Sequence, residues 1–155
     1  MAQYSATLAT ENRPDDVWRY LADLRSIVEW DPSVEDARLV AGEPGLVGTR
    51  YELDVRFLGR TVALPYETVV AEPPHRLVFA AETDAMSIAD EAIIVPTISG
   101  SSLTWRASLS LRGGRRLLDP PLRLAFARLG RNAETGLRAR LAVQTSEAQP
   151  VSVSE

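Results

Sequence analysis

The sequence predicts an α+β fold in which a curved antiparallel sheet of about seven strands wraps around a long C-terminal helix. Apolar and polar side chains alternate with a period of two through much of the chain from 34 to 111, which indicates strands with one buried and one wet face. Apolar residues recur at three- and four-residue steps after 119, and briefly after Pro14. That spacing predicts the long terminal helix and a short helical segment between strands 1 and 2.

The N-terminal part predicts a strand over 2–10, followed by the short helix. Pro14 presets the backbone of a first helical turn, and the acidic pair Asp15 and Asp16 suits the positive end of the helix dipole. The helical phase is expected to end at Asp31, because a residue that precedes proline is pushed toward extended geometry. One apolar stripe is predicted, comprising Val17, Tyr20, Leu21, Leu24 and Val28.

The central part predicts six further strands, separated by turn signals. The segment SGSS at 99–102 has the composition of a hairpin turn. Pro65 interrupts an otherwise regular alternation, which favours an edge strand or a bulge at that point because proline lacks the N–H that a sheet ladder uses. The predicted strand regions are 34–43, 51–57, 62–70, 77–81, 87–97 and 103–111.

The C-terminal part predicts a helix over 120–142, started by Asp119 and Pro120. Such a helix is about 34 Å long, similar to the ~33 Å of a ten-residue strand, so it can lie along the whole sheet. Residues 143–155 show no periodicity and are expected to form a flexible tail, which leaves 1–142 as one domain.

The widths of the predicted elements favour an internal cavity. One helix is about 10 Å wide, whereas seven strands at ~4.8 Å spacing form a flat sheet more than three times broader. The sheet therefore has to curl around the helix or expose apolar surface, and curling leaves a space of the kind that holds small molecules. The alternative is a fully packed core.

Composition excludes several kinds of chemistry. All 17 cationic side chains are Arg, and the chain has no Cys, so Lys Schiff bases, P-loops, disulfides and thiolate sites are absent. The single His, His75, lies in the turn sequence EPPHRL, which excludes zinc sites built from several imidazoles. The start shows no secretory signal and no apolar run is long enough to span a bilayer, so the expected location is cytoplasmic.

Charge is distributed unevenly along the chain. The segment from Arg112 to Arg140 holds eight Arg against two acidic residues, while the protein as a whole carries a net charge of −4. This basic segment is either a docking surface, with an acidic carrier protein as one partner, or an ordinary solvated helix face. No nucleic-acid partner is expected, and the chain is taken as a monomer or a homodimer.

Five segments, in order, give the chain a family resemblance. They are RPDDVWRYLADLRSIVEWDPSV at 13–34, VGTRYEL at 47–53, LPYETVVAEPPHRLVF at 64–79, SGSSLTWRASLSLRG at 99–113 and LLDPPLRLAFARLGRNAETGLRARL at 117–141. Together they resemble the START-like (SRPBCC, helix-grip) superfamily, and within it the polyketide cyclase/dehydrase and lipid-transport group. The resemblance implies a helix-grip fold over 1–142. It also implies a cavity for a polyketide, lipid or isoprenoid molecule, with no metal or organic cofactor. The exclusive use of Arg, which is typical of a GC-rich genome, suggests that such a protein has a role in secondary metabolism.

The resemblance also suggests which residues line the cavity. Trp30 follows the first helical segment, where it would line or gate an entrance; alternatively it plugs the space between that segment and the sheet. The candidate lining residues are Trp30, Tyr51, Leu53, Val55, Leu64, Tyr66, Phe79, Trp105, Leu118, Leu122, Ala125 and Phe126.

Catalysis in such a cavity would need a few inward polar groups. Asp90 and Glu91 are adjacent, so a regular strand turns only one of them inward, and a buried carboxylate with a raised pKa can act as a general acid. The candidates are Tyr51, Tyr66, Asp90, Glu91 and Arg106.

Three functions therefore stay open. An apolar lining favours a carrier or sensor of a small hydrophobic molecule, and an inward carboxylate near Tyr51 or Tyr66 favours a polyketide cyclase/aromatase or dehydratase. Arginines clustered outward beside the cavity favour a partner-docking module.

Overall fold

The computed structural model describes residues 1–113 and 119–148, and it confirms the predicted helix-grip architecture. A helix α1, a 3₁₀ segment and a long helix α2 accompany seven strands. The elements are β1 (Ala2–Thr10), α1 (Pro14–Ala22), the 3₁₀ segment (Leu24–Glu29), β2 (Val34–Ala41), β3 (Arg50–Phe57), β4 (Arg60–Glu72), β5 (Arg76–Glu82), β6 (Met86–Thr97), β7 (Gly100–Leu111) and α2 (Asp119–Ala148).

The seven strands form one antiparallel sheet in the order β1-β7-β6-β5-β4-β3-β2. Its inner face follows the predicted alternation, since Leu77, Phe79 and Ala81 are buried while the residues between them are less so. The outer face carries ion pairs between neighbouring strands, such as Arg38 Nη2 to Glu52 Oε1 at 2.6 Å. Strand periodicity therefore separates an apolar interior from a charged exterior.

Two predictions about the sheet, one on Pro65 and one on the last hairpin, need correction. Pro65 lies in the interior strand β4, which pairs with β3 and β5, and not at a sheet edge. The β4–β5 ladder begins at Tyr66, one residue after the proline, and the bulge lies between Thr68 and Val70, so the missing N–H falls at the end of that ladder. The last hairpin turns earlier than predicted, because Gly100 already pairs with Thr97.

The first helical segment is broken at Asp23, not at Asp31. Asp23 has extended backbone angles (φ −90°, ψ 100°), and its side chain accepts a hydrogen bond from Arg25 N to start the 3₁₀ segment. Three residues per turn replace 3.6 there, so Ile27 is buried, whereas Val28 of the predicted stripe is 44% exposed.

Helix α2 continues to Ala148, six residues beyond the predicted end at 142. It packs against β1 and the 3₁₀ segment, through the predicted apolar face that includes Leu122, Ala133, Leu137 and Leu141. Among the helices of the described residues, none is long and apolar enough to cross a membrane.

Two glycines allow α2 to approach these neighbours closely. A Cβ at Gly130 would lie 2.3 Å from the ring of Tyr4 on β1, and a Cβ at Gly136 would lie 1.9 Å from the carbonyl oxygen of Trp30. Glycine inside a helix lowers stability by about 1 kcal/mol relative to alanine. The close packing of α2 that glycine permits at these two positions offsets this loss. The position of α2 is thus fixed beside one edge strand and the end of the 3₁₀ segment.

Polar contacts also hold α2 against the 3₁₀ segment. Glu29, on the 3₁₀ segment, accepts a hydrogen bond from the Tyr20 hydroxyl at 2.6 Å and pairs with Arg140 Nε of α2 at 3.0 Å. Meanwhile α1 packs against β5, β6 and β7. The two helices therefore cover different parts of the concave sheet.

We predict that Gly136→Ala destabilises the protein although alanine is the better helix former. The added methyl meets a backbone oxygen, which cannot rotate away, so the overpacking cost of about 1–3 kcal/mol exceeds the ~1 kcal/mol gained in helix propensity. Thermal unfolding should show a lower Tm than wild type. Asn132→Ala, at an exposed position of the same helix, is the matched control and should leave Tm unchanged or slightly higher.

Candidate functional site

A cavity of about 120 Å³ lies between the sheet and α2. Its wall comes from strands β1, β3, β4, β6 and β7, from the chain around Trp30, and from one face of α2. The lining residues are Tyr4, Ala6, Leu8, Ile27, Trp30, Asp31, Ser33, Val34, Leu53, Val55, Phe57, Val62, Leu64, Tyr66, Met86, Ile88, Asp90, Trp105, Ala107, Leu109, Phe126, Leu129, Gly130, Ala133, Glu134 and Leu137.

Seven of the predicted lining residues lie in this wall: Trp30, Leu53, Val55, Leu64, Tyr66, Trp105 and Phe126. Tyr51 and Phe79 do not line it. Their rings contact each other at 6.4 Å between centroids, in the hydrophobic core. Both have the inward phase that the alternation predicts, but α1 and the 3₁₀ segment contribute to the core that encloses them.

The predictions on the C-terminal segment are only partly met. Leu122 packs with Ala2 and Leu109 in a separate small core cluster, and Ala125 lies in an outer groove. Leu118 lies outside the described residues. Helical phase alone could not separate Leu122 and Ala125 from Phe126, because the three lie on the predicted apolar face of α2.

Trp30 lies in the cavity wall and is only 3% exposed. Its ring meets Trp105 of β7 edge-to-face, with 5.1 Å between centroids, a favourable arrangement for two aromatic rings. Trp30 Nε1 is buried and finds no hydrogen-bond acceptor among the residues that the structure describes. The indole of Trp30 therefore belongs to the core and also lines the cavity. Its N–H is a hydrogen-bond donor without a partner among the described residues.

Of the adjacent carboxylates Asp90 and Glu91, Asp90 is the one that faces inward, and it is 7% exposed. Burial raises the pKa of Asp90 to about 7; a hydrogen bond from Tyr66 opposes that rise, and the nearby charge of Asp31 adds to it. The pKa of Tyr66 is itself raised well above its usual range, first by burial and then by Asp90. Tyr66 therefore stays a neutral phenol, while Asp90 titrates near neutrality.

Asp31 is a member of this polar cluster that sequence reasoning missed. Its Oδ1 accepts hydrogen bonds from Ser33 N at 2.8 Å and Ser33 Oγ at 2.7 Å, which fixes the carboxylate in the turn after Trp30. Burial raises the pKa of Asp31, and the Ser33 bonds oppose the rise. The sequence signal was the Asp-Pro-Ser turn, which indicated a turn but not that its carboxylate points into a cavity.

The remaining catalytic candidates lie elsewhere. Glu91 faces the outer side of the sheet, where it pairs with Arg76 Nη2 at 2.8 Å and Arg106 Nη1 at 3.3 Å. The Tyr51 hydroxyl donates to the carbonyl of Ala22 at 3.3 Å. These groups stabilise the fold and do not reach the cavity.

A second polar pair, also missed, lies where β1 meets α2. The Tyr4 hydroxyl donates a hydrogen bond to Glu134 Oε2, and Arg138 Nη2 donates to Glu134 Oε1 at 3.1 Å. Burial and the Glu134 contact raise the pKa of Tyr4 to about 12. The alternation of β1, with Tyr4, Ala6 and Leu8 on one side, was the sequence signal for this wall.

The arrangement can provide acid–base groups in an apolar space. A carboxyl group that titrates near pH 7 can give or take a proton under physiological conditions, and a buried neutral phenol can donate a hydrogen bond to a carbonyl. No group of three or more His, Asp or Glu able to hold a metal ion occurs within 1–113 and 119–148.

Solved structures share this architecture. TTHA0849 from Thermus thermophilus superposes with a TM-score of 0.76 at 18% identity, over 95% of this chain and 99% of that one. A START superfamily protein from Mycobacterium smegmatis gives 0.75 at 12% identity, over 91% and 97%. The Zhui aromatase/cyclase from Streptomyces sp. R1128 gives 0.74 at 11% identity, over 99% and 98%. At these identities the likeness concerns the fold alone.

A family model decides membership. The model described as polyketide cyclase / dehydrase and lipid transport matches residues 1–142. The chain belongs to this family. Among curated proteins, none is similar enough in sequence to be matched with it. Family membership supports a fold for hydrophobic ligands, and the cavity residues above are those that this member offers.

We predict that Asp90 makes the protein less stable as pH rises from about 4 to 7. A folded-state pKa of about 7 lies above the unfolded value of ~3.9, so the folded state binds the extra proton in this window and loses stability on the order of 4 kcal/mol across it. Urea unfolding of Asp90→Asn should match wild type near pH 4 and be the more stable protein at pH 8. Glu91→Gln, the solvent-facing neighbour, should keep the wild-type decline. A pH-independent difference between Asp90→Asn and wild type would contradict the assignment.

Proposed function

We propose that the protein binds a small, mainly apolar molecule that carries a hydroxyl or carbonyl group, of polyketide, lipid or isoprenoid type, in the cavity between sheet and α2. The observation that carries this proposal is the composition of the wall. Apolar side chains surround a polar cluster of Asp31, Tyr66 and Asp90, and the Tyr4–Glu134 pair lies on the β1–α2 side of the same wall. Such a wall suits a guest with an apolar body and one polar end.

The cavity volume sets the size of the guest. About 120 Å³ is close to the ~150 Å³ apolar cavity that accepts benzene, and below the ~300–1,000 Å³ of sites for drug-sized ligands. A single ring or a short chain fits the interior as it stands. A larger ligand would extend out of the cavity or require α2 to move.

Buried polar groups supply the specificity. Trp30 Nε1 lacks an acceptor among the described residues, and a buried donor left unpaired costs about 1–3 kcal/mol. A guest oxygen placed near the indole removes that cost. Tyr66 donates its hydrogen bond to Asp90, and protonated Asp90 has its own O–H to donate to a guest on the same wall, so an uncharged oxygen-bearing guest is preferred over a plain hydrocarbon.

We predict that Ala107→Leu weakens ligand binding without unfolding the protein. Ala107 lines the cavity, so three added carbons occupy part of the guest's space. Ala80→Leu makes the same change at a β5 position that does not line the cavity and is the matched control. Native mass spectrometry of wild type from its own host identifies the co-purified molecule, and titration with it should show affinity at least tenfold weaker for Ala107→Leu alone. Equal affinity in wild type and Ala107→Leu would place the ligand elsewhere.

A second candidate function, a polyketide cyclase or dehydratase, is favoured by the inward carboxylate beside Tyr66. In an aldol cyclisation, a base removes a proton from the carbon next to one carbonyl, a carbon–carbon bond forms at a second carbonyl carbon, and the resulting alkoxide receives a proton. An ionised Asp31 would serve as the base, with protonated Asp90 and Tyr66 as the acid. Proton balance is then kept within the cavity, and no cofactor is required.

For this second function we predict that Asp90→Asn and Tyr66→Phe each lower turnover of a poly-β-keto thioester by about 10²-fold or more, the scale of a lost general acid. Glu91→Gln should retain turnover, because Glu91 lies on the outer face. The readout is cyclised product by liquid chromatography and mass spectrometry. Unchanged turnover in both cavity variants would leave binding as the function.

A further inference from the structure

We propose that a groove outside the cavity binds the anionic end of the ligand, a carboxylate or a phosphate, whose apolar part enters the cavity. The proposal rests on the proposed binding function and extends it from a neutral guest to an anionic amphiphile. The groove has a volume of about 480 Å³ and is lined by Phe57, Leu58, Pro121, Leu124, Ala125, Arg128, Leu129, Arg131 and Asn132.

The groove adjoins the cavity. Phe57 of β3 and Leu129 of α2 line both spaces, so these two side chains separate the inner from the outer volume. A ligand too large for 120 Å³ that extends past these two side chains would reach the groove and remain in contact with protein. The groove is thus the outer half of one longer site.

The charges in the groove suit an anion. Arg128 and Arg131 are three residues apart on α2 and share a face, and no carboxylate of the described residues lies within salt-bridge distance of either guanidinium. Arg138 on the same helix does have such a partner, because it pairs with Glu134 at 3.1 Å. Guanidinium groups bind carboxylate and phosphate through paired N–H donors, so these two are available to a ligand.

The opposite wall of the groove carries an unfavourable backbone conformation. Leu58 has φ +50° and is followed by Gly59 at φ +77°, in a two-residue β3–β4 turn where Asn, Asp or Gly is preferred. Its side chain is 67% exposed, and Leu124 across the groove is 72% exposed. A strained, exposed leucine adds nothing to a folded core, whereas it offers apolar contact to a ligand chain, and strain of this kind concentrates at functional sites.

The test compares three probes that each contain an eight-carbon chain, counting the carboxyl carbon of octanoate: octanoate, octyl phosphate and octan-1-ol. The full chain is titrated at low salt, with binding followed by calorimetry. We expect at least one of the anions to bind about fivefold or more tightly than the alcohol, with the preference shrinking as salt is added. If both anions show it, the groove accepts either headgroup; if only octyl phosphate does, the headgroup is a phosphate.

Variants locate the effect. The double variant Arg128→Gln/Arg131→Gln should lose the preference for anions and keep the affinity for octan-1-ol. Arg123→Gln changes the same charge on the same helix outside the groove and should behave as wild type. Equal affinities of all three probes for wild type, or a preference that survives in the double variant, would overturn the proposal while leaving the cavity function intact. If none of the probes binds, the cavity function fails as well.

Leu58→Asn gives an independent readout. Asn tolerates positive φ, so the variant should melt a few degrees higher than wild type, yet bind octanoate and octyl phosphate more weakly. Unchanged binding of both anions would remove Leu58 from the groove.

Binding to phosphatidylglycerol vesicles is measured as the last comparison. If they bind wild type but not the double variant, while the soluble anions bind no tighter than octan-1-ol, the surface faces a membrane and the soluble-ligand proposal is wrong.

Discussion

The close approach of Gly130 to Tyr4 and of Gly136 to the Trp30 carbonyl fixes the position of α2, on which the rest of the structure depends. These glycines let α2 lie directly on β1 and on the end of the 3₁₀ segment. With one helix placed there, and α1 placed against β5 to β7, part of a seven-stranded concave sheet has no helix packed directly on it. The cavity is the space that this geometry leaves, and its volume depends on how closely the glycines allow α2 to approach.

Within that space, a few polar atoms are kept out of water. Asp90 reaches the cavity through strand alternation, and Asp31 reaches it through a turn held by Ser33. Both carboxyl groups have pKa values raised by burial, so each is held at a cost in folding free energy. Carboxyl groups of this kind are enriched at sites of binding and proton transfer, so the polar cluster supports the proposed function more specifically than the apolar wall does.

Sequence patterns predicted the sheet, both helical regions and much of the wall, because a period of two or 3.6 determines which face a residue occupies. They could not decide between Asp90 and Glu91, since Ile88, Ala89, Ala92, Ile93 and Ile94 place apolar residues on both faces of β6. The alternation along a strand also does not show which element covers an inward-facing residue. Tyr51 and Phe79 point inward, but they pack in the core away from the cavity. Asp31 lies in a turn, where no periodicity applies, and only tertiary structure brings it near Tyr66.

Helix α2 packs on β1 and leaves a space between itself and the strands further along the sheet, and we propose that this space receives a guest beside Trp30, Tyr66 and Asp90. The most direct measurement is a crystal structure of the protein grown with a small phenol such as 4-ethylphenol. The account predicts electron density for the ring against Trp30 and Trp105, with its hydroxyl within hydrogen-bond distance of Tyr66 or Asp90. Side chains of α2 that fill this volume and contact Leu53 and Leu64 directly, with no ligand density inside, would contradict it.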